Sequence, residues 1–140
     1  MASELSSTFQ ALRDALRAHA EDLTVTEDTY SRFTLQAVVG PASLAAWGGR
    51  LRSRTIPVAW VEHGKTYVSY HLMGLGGNAA LLATLSPALR RRMQGKTCFN
   101  FTRIDEALFA ELATVTTASI QGLRRARYIS EDPEAEHPQA

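Results

Sequence analysis

The chain has 140 residues, of which 45% are hydrophobic and 21% are charged, and it contains a single cysteine. This size and composition are typical of one globular domain, and the single cysteine excludes an intrachain disulfide. The sequence has no run of about 18 apolar residues and no apolar signal-peptide core, so we predict no membrane-spanning helix and expect a cytoplasmic location.

Residues 129–140 differ from the rest of the chain. This segment holds four acidic residues, two prolines and no lysine or arginine. It has so little apolar surface to bury that we predict it to be disordered. Residues 1–128 form the predicted domain. Without the acidic segment the chain carries 15 basic and 10 acidic residues, a formal charge of +5 that favours anionic partners.

The first predicted element is an amphipathic helix. Its apolar side chains recur at spacings of three, four and seven, namely Leu5, Phe9, Leu12, Leu16 and Leu23. Ser6 and Ser7 are candidate N-caps, and Gln10 is placed as the capping-box partner of Ser7. The polar stretch TVTEDTY is expected to end the helix.

Three β-strands are predicted next. The stretch SRFTLQAVVG alternates, with Phe33, Leu35, Ala37 and Val39 on one side and Arg32, Thr34 and Gln36 on the other. The stretch TIPVAWVEHGKTYVSYHLM predicts two strands joined by a tight turn at His63 and Gly64. Pro57 indicates an edge position or an early bulge in the first of these two strands.

Helix-start signals follow at two positions. Asn78 is a candidate N-cap, and Ser86 followed by Pro87 is typical of a second helix start. The arginines at 90–92 would occupy the last turn of that helix, with Gly95 as the residue just past its end.

The last two predicted elements are a strand and a long helix. KTCFNF alternates, with Thr97, Phe99 and Phe101 on one side and Lys96, Cys98 and Asn100 on the other. Thr102 is predicted to cap the helix, whose buried stripe is Ile104, Leu108, Leu112 and Val115. The order of elements predicts a single compact α+β domain, with an antiparallel-rich sheet of about four to six strands and helices mainly on one face.

The triplet Gly95-Lys96-Thr97 matches the end of a phosphate-binding loop. Such a loop needs an earlier glycine at position 90, and it must follow a strand and open a helix. Position 90 is an arginine, and here the triplet follows a predicted helix and opens a predicted strand. We therefore do not predict a nucleotide site at this triplet.

Cys98 is a candidate for thiol chemistry. A reactive thiolate needs a lowered pKa, and Arg92, Lys96 and His71 are cationic neighbours by sequence or by strand pairing. A catalytic Cys–His pair and a soft-metal site of His71, Met73 and Cys98 are alternatives to a half-buried cysteine without chemistry. The four histidines show no spacing typical of a dedicated metal site.

Three basic clusters are candidates for phosphate contacts. They comprise Arg50, Arg52 and Arg54; Arg90, Arg91, Arg92 and Lys96; and Arg124, Arg125 and Arg127. No nucleic-acid-binding motif accompanies them, and basic residues at helix ends account for two of the three without a ligand.

A mixed polar and aromatic surface is predicted on one side of the sheet. Tyr67, Ser69, His71 and Met73 share one side of the strand KTYVSYHLM. Lys96, Cys98 and Asn100 can extend that surface on the face away from the helices. Such a surface is typical of a ligand site or an oligomer contact, although ordinary mixed packing is an equal alternative.

Three stretches, KTYVSYHLM, LSPALRRRMQGKTCFNF and DEALFAELATVT, resemble the YdhG-like family, known as domain of unknown function 1801. The resemblance runs from about Tyr30 to Arg125 and implies a compact α/β domain. It places eight residues in the family's signature, namely Tyr67, His71, Arg92, Gln94, Gly95, Lys96, Cys98 and Asn100. One departure is GLGGNAA, where a proline- or aromatic-containing loop is expected.

Some members of that family are described as frataxin-like iron chaperones. Frataxin-type iron binding relies on an acidic ridge, whereas this chain has few acidic residues and residues 1–128 carry a net formal charge of +5. The resemblance therefore implies iron as an alternative ligand but transfers no iron-binding residue to this chain.

We expect a non-enzymatic binding domain that takes a small molecule or a protein partner on the sheet face around His71 and Asn100. The candidate ligand-binding residues are Tyr67, His71, Arg92, Gln94, Lys96, Cys98 and Asn100. No cofactor is evident from the sequence. Iron handling, weak nucleic-acid binding through the arginine clusters and a homo-oligomer contact stay open as alternatives.

Overall fold

Five helices and six strands are described by a computed structural model that covers residues 2–46 and 54–130. The helices are α1 (Ala2–Arg17), α2 (Pro41–Ala46), α3 (Ala79–Ala83), α4 (Pro87–Arg90) and α5 (Glu106–Arg125). The strands are β1 (Thr24–Asp28), β2 (Arg32–Val38), β3 (Thr55–His63), β4 (Val68–Leu72), β5 (Met93–Gln94) and β6 (Cys98–Phe101). A short 3-10 turn, Met73–Leu75, follows β4.

The six strands form one antiparallel sheet in the order β1-β2-β3-β4-β6-β5. Helix α1 packs on β3 and β4, and α5 packs on α1, α3, α4 and the 3-10 turn. The two long helices therefore cover one face of an open sheet, which confirms the predicted α+β class and sheet. No helix among the described residues is long and apolar enough to cross a membrane.

The core lies between α1, α5 and one face of the sheet. Its largest fully buried side chains include Tyr70, Phe9, Phe33, Phe99, Phe101, Leu12, Leu16 and Leu35. Burying each of them contributes about 1.5–3 kcal/mol. The alternation predicted for β2 and β6 and the apolar stripe of α1 are confirmed at these positions.

Helix α1 is longer at its start and shorter at its end than predicted. It begins at Ala2, so Ser6 and Ser7 lie inside it and the predicted N-caps are wrong. It ends at Arg17, which leaves Leu23 outside the helix. The polar stretch after it contains the edge strand β1, whose five residues are all exposed. With no buried side to mark it, this strand has no alternating pattern for a sequence to reveal.

Pro57 lies at a bulge in an interior strand. The β2–β3 register passes from Leu35 opposite Ala59 to Gln36 opposite Pro57, so Val58 is the extra residue. Because β3 pairs with β2 and β4, the predicted edge position is wrong and the predicted bulge is confirmed. The pairing of β3 with β4 begins only at Ala59, so Pro57, which has no N–H, has a partner strand on the β2 side alone.

Both predicted caps of the short helices are confirmed. The Asn78 side chain accepts a hydrogen bond from the Leu81 N–H at 3.1 Å, and Ser86 Oγ accepts one from the Leu89 N–H at 3.1 Å. Glu111 of α5 holds Ser86 in turn, accepting its N–H at 2.8 Å and its hydroxyl at 2.6 Å. This carboxylate ties the start of α4 to α5.

Two predicted boundaries are wrong. Gly95 is not a helix stop, because α4 ends at Arg90 and Gly95 lies in the turn between β5 and β6 with a φ of 76°. Asp105 rather than Thr102 caps α5, accepting the Leu108 N–H at 3.1 Å. Ile104 therefore precedes the helix, and it is 45% exposed.

The described part of the chain ends packed against β2. Ile129 forms a bridge with Val39 and is 1% exposed, and the Ser130 N–H donates to the Val38 carbonyl at 2.8 Å. The packed body thus continues two residues beyond the predicted boundary at 128. The rest of the predicted disordered segment, residues 131–140, lies outside the described residues, as do Arg50 and Arg52.

Candidate functional site on the outer face of the sheet

The candidate site lies on the face of the sheet opposite α1 and α5, which we call the outer face. Strand register builds it as two adjacent rows of side chains across the strands. One row is Thr34, Trp60, His71, Cys98 and Gln94, and the other is Arg32, Glu62, Ser69 and Asn100. Residues far apart in the chain therefore become direct cross-strand neighbours.

Trp60 and His71 stack on each other at the centre of the outer face. Their ring centroids are 4.7 Å apart and their planes differ by 10°. The Arg32 guanidinium lies 6.0 Å from the centre of the Trp60 ring. These contacts occupy ring surface that a ligand would otherwise cover, so the pair offers mainly its edges to a ligand.

Glu62 is the electrostatic centre of this face. Its Oε1 accepts a hydrogen bond from Trp60 Nε1 at 3.2 Å and lies 3.5 Å from His71 Nε2. Its Oε2 lies 3.6 Å from Arg32 Nη1, and Arg32 Nε also pairs with Glu27 at 3.0 Å. The carboxylate therefore fixes the tryptophan, the histidine and the arginine relative to one another.

The surroundings of His71 favour its neutral form, because they lower the pKa of the imidazole. Burial lowers its pKa, Glu62 raises it and Arg32 lowers it, with a net shift below the ordinary histidine value. A neutral imidazole can both donate and accept a hydrogen bond, which suits recognition of an uncharged ligand group.

We expect Glu62→Gln to lower the pKa of His71 further, because it removes the negative charge that favours the imidazolium. An NMR pH titration of the His71 ring protons measures this shift directly. Asp14→Asn, which removes an exposed carboxylate on α1, serves as the control and leaves the titration unchanged. A His71 pKa that rises in Glu62→Gln would contradict this electrostatic account.

Cys98 lies directly opposite His71 on the neighbouring strand, an adjacency that the sequence left open. Its Sγ is 3.8 Å from His71 Nε2 and donates to Asn100 Oδ1 at 3.4 Å. Burial raises the pKa of the thiol, a hydrogen bond from Ser69 lowers it and Glu62 raises it, so the net direction is upward. A nucleophilic cysteine needs a lowered pKa, and the catalytic Cys–His hypothesis lacks that support.

The metal hypotheses also lack a matching set of ligands. Across residues 2–46 and 54–130, no group of three His, Cys, Asp or Glu side chains is placed to hold a metal ion. Met73, the third residue of the predicted soft-metal set, lies in the 3-10 turn beyond β4 and is exposed. The residues described do not fit a dedicated iron site.

A depression of about 530 Å³ opens at one end of the outer face. Its walls come from the β3–β4 loop and its floor from β4, β5 and β6. The lining residues are Glu62, His63, Gly64, Lys65, Thr66, Tyr67, Ser69, His71, Gln94, Cys98 and Asn100. On the floor, Asn100 Nδ2 donates to Gln94 Oε1 at 2.6 Å, which fixes the orientation of both amides.

The structure brings five of the seven predicted site residues together in this depression, namely Tyr67, His71, Gln94, Cys98 and Asn100. Arg92 and Lys96 do not line it. Both are exposed next to β5, Arg92 before the strand and Lys96 in the turn after it. The predicted role of these two cations in the same site is therefore not supported by their position.

Sequence reasoning missed Trp60 and Glu62, which are central to the outer face. The bulge at Val58 places Val58 and Ala59 both in the core and breaks the alternation of β3. The alternation resumes after the bulge, with Ala59 and Val61 buried and Trp60 and Glu62 on the outer face. Alternation counted back along the strand from His63 places Glu62 and Trp60 together on the face opposite Val61 and Ala59.

No family model, no curated protein and no solved structure matches this chain. The resemblance to the YdhG-like family stays a prediction.

Proposed function

We propose that the protein is a binding domain for a small polar molecule that carries a planar group and an anionic group. The observation that carries this proposal is the depression on the outer face, where residues from two separate stretches of the chain, 62–71 and 94–100, converge. In small-molecule sites, a few convergent polar groups fix the orientation of the ligand.

The lining residues indicate the chemistry of the ligand. Tyr67 is 38% exposed and supplies an aromatic wall, and Lys65 supplies an ammonium group at the rim. Neither side chain has a hydrogen bond or an ion pair with a described residue. The fixed amides of Asn100 and Gln94 supply directed hydrogen bonds from the floor. A planar, hydrogen-bonding anion would satisfy all three elements.

The outer face fits a single-stranded nucleic acid less well. Such proteins present open aromatic faces on which successive bases stack. Here Trp60 and His71 stack on each other instead. Arg90 of the second basic cluster is also engaged, since it donates to the Leu82 carbonyl at 2.6 Å.

The proposal is tested by NMR with a panel of aromatic carboxylates and nucleoside monophosphates, with inorganic phosphate as the simple anion. We expect backbone amide shifts to cluster in residues 64–71 and 94–100. Tyr67→Ala and Lys65→Ala should each weaken binding about tenfold, the usual effect of losing an aromatic stacking contact in the first variant and an ion pair in the second.

Matched controls are available on the same protein. Tyr30→Ala removes a tyrosine that is 89% exposed and lies outside the depression, and Lys96→Ala removes a lysine that does not line it. Both should bind like the wild type. Equal losses in the control and site variants, or no shifts with any probe, would refute the proposal. A response to ferrous iron alone would favour the iron alternative instead.

A further inference from the structure

We propose that a second binding site, for a small monocarboxylate with an apolar body, lies between α1 and the turn that joins β1 to β2. The site is a depression of about 390 Å³, which we call the α1 depression. It is lined by one face of α1, by Tyr30 and Ser31 of the turn and by His63 at the end of β3. Only His63 also lines the depression on the outer face, so this inference is independent of the proposed function.

One face of α1 supplies four of the lining residues. Gln10, Phe9 and Arg13 follow Ser6 at spacings of four, three and seven, which place side chains on the same side of a helix. The buried Phe9 ring lies 5.8 Å from the His63 ring, measured between centroids, and Arg13 Cζ lies 6.0 Å from the centre of the Phe9 ring. The helix therefore sets a cation beside two aromatic rings.

The wall formed by the turn is held in place by hydrogen bonds. The Thr29 hydroxyl oxygen accepts the Ser31 N–H at 3.3 Å and the Arg32 N–H at 3.0 Å. The His63 N–H donates to the Ser31 carbonyl at 2.9 Å, which fastens the turn to the end of β3. Because the helix and the turn are both fixed without a ligand, binding requires little further ordering.

Several polar groups of the lining have no partner among the described residues. Arg13 Nε lies 3.4 Å from Asp14 Oδ1, but the Nη1 and Nη2 atoms of Arg13 form no hydrogen bond there. The Gln10 amide and the Ser31 hydroxyl likewise form none with residues 2–46 and 54–130. Aromatic surface combined with a few convergent polar groups is the arrangement expected of a small-molecule site.

The charge of the lining indicates the class of ligand. Among the described residues that line the α1 depression, Arg13 is the only Lys, Arg, Asp or Glu. One cation balances a monoanion, and a planar guanidinium with two free terminal nitrogens matches the two oxygens of a carboxylate. The Phe9 and His63 rings offer apolar contact to the rest of the ligand.

Hexanoate is the probe that tests this proposal, because it has a carboxylate and an apolar body but no planar ring for the outer-face depression. We expect an NMR titration to about 20 mM, a range suited to so small a ligand, to shift amide signals in residues 6–13 and 30–32. Hexanamide has the same chain without the charge and should bind about tenfold more weakly.

Variants of α1 identify the group that holds the carboxylate. Arg13→Gln should weaken hexanoate binding about tenfold, whereas Arg103→Gln, the same change at an exposed arginine that lines neither depression, should leave it unchanged. Asp14→Asn removes the carboxylate that competes for Arg13 Nε and should tighten binding about twofold. Because damage to the fold would not tighten binding, this variant separates a ligand contact from a structural role.

Four results would overturn the proposal. Hexanoate and hexanamide would bind equally, or Arg13→Gln and Arg103→Gln would lose binding equally. Asp14→Asn would bind hexanoate more weakly than the wild type. Hexanoate would cause no amide shifts, or would shift only the outer-face residues 64–71 and 94–100.

Discussion

Gly40→Ala should lower the free energy of unfolding by about 3 kcal/mol, the upper range for inserting a methyl group where the surroundings cannot move. A Cβ atom at Gly40 would overlap the Arg127 carbonyl oxygen and would lie 3.0 Å from the Ile129 carbonyl carbon. Both are backbone atoms, so relief requires the chain at 127–130 to move away from β2. That movement would break the Val39–Ile129 bridge and expose Ile129.

Urea denaturation of the wild type and the variant measures this difference. Gly76→Ala is the matched control, because Gly76 is exposed and the nearest atom to its added Cβ is the Thr97 side-chain methyl group at 3.3 Å. We expect the control to change stability by less than about 1 kcal/mol. A Gly40→Ala variant as stable as the control would show that residues 127–130 pack less closely on β2 than described.

The elements with a buried side could be predicted from the sequence. Apolar periodicity in a sequence marks the side of an element that is buried. It therefore predicted the stripe of Phe9, Leu12 and Leu16 and the alternation of β2, which are buried as expected. The caps at Asn78 and Ser86 are local hydrogen bonds between residues three apart. Local chemistry of this kind does not depend on the rest of the fold.

The wrong predictions of element boundaries occur at residues whose type is compatible with more than one local structure. Gly95 adopts a positive φ, which a helix end and a hairpin turn both require, so its identity could not decide between them. Thr102 and Asp105 are both good N-caps, and only the tertiary position of α5 selects Asp105. The edge strand β1 has no buried residue, so its sequence lacks the alternation of apolar and polar residues by which a strand is predicted.

For the candidate site, the sequence could predict only which face of its own strand each residue occupies. Alternation placed His71, Cys98 and Asn100 on the faces of their own strands. It could not show that His71 pairs with Cys98 and Ser69 with Asn100, because register depends on long-range pairing. The depression also depends on the β3–β4 loop, which contributes Lys65 and Tyr67 to its lining. Loop geometry has no periodic signal in the sequence.

Thr116→Val should cost about 2 kcal/mol of stability, the penalty for a buried hydroxyl that loses its partner. Tyr70 and Thr116 are both buried, and their hydroxyl oxygens lie 2.6 Å apart. Thr116 Oγ1 donates to the Leu112 carbonyl at 2.7 Å, so it accepts its second hydrogen bond from Tyr70. Burial raises the pKa of Tyr70 far above its ordinary value, with Thr116 acting in the opposite direction, so the phenol remains a donor.

Tyr70→Phe, the variant of the partner residue, should destabilise the protein less, because it leaves no buried polar group without a hydrogen bond. Tyr70→Phe removes the donor but leaves Thr116 bonded to Leu112, so we expect a loss of about 1 kcal/mol. The double variant Tyr70→Phe/Thr116→Val leaves no polar group without a partner and should cost about as much as Tyr70→Phe alone. Denaturation of all four proteins completes a double-mutant cycle. Strictly additive losses would show that the two hydroxyls do not interact, and β4 would then be joined to α5 by apolar packing alone.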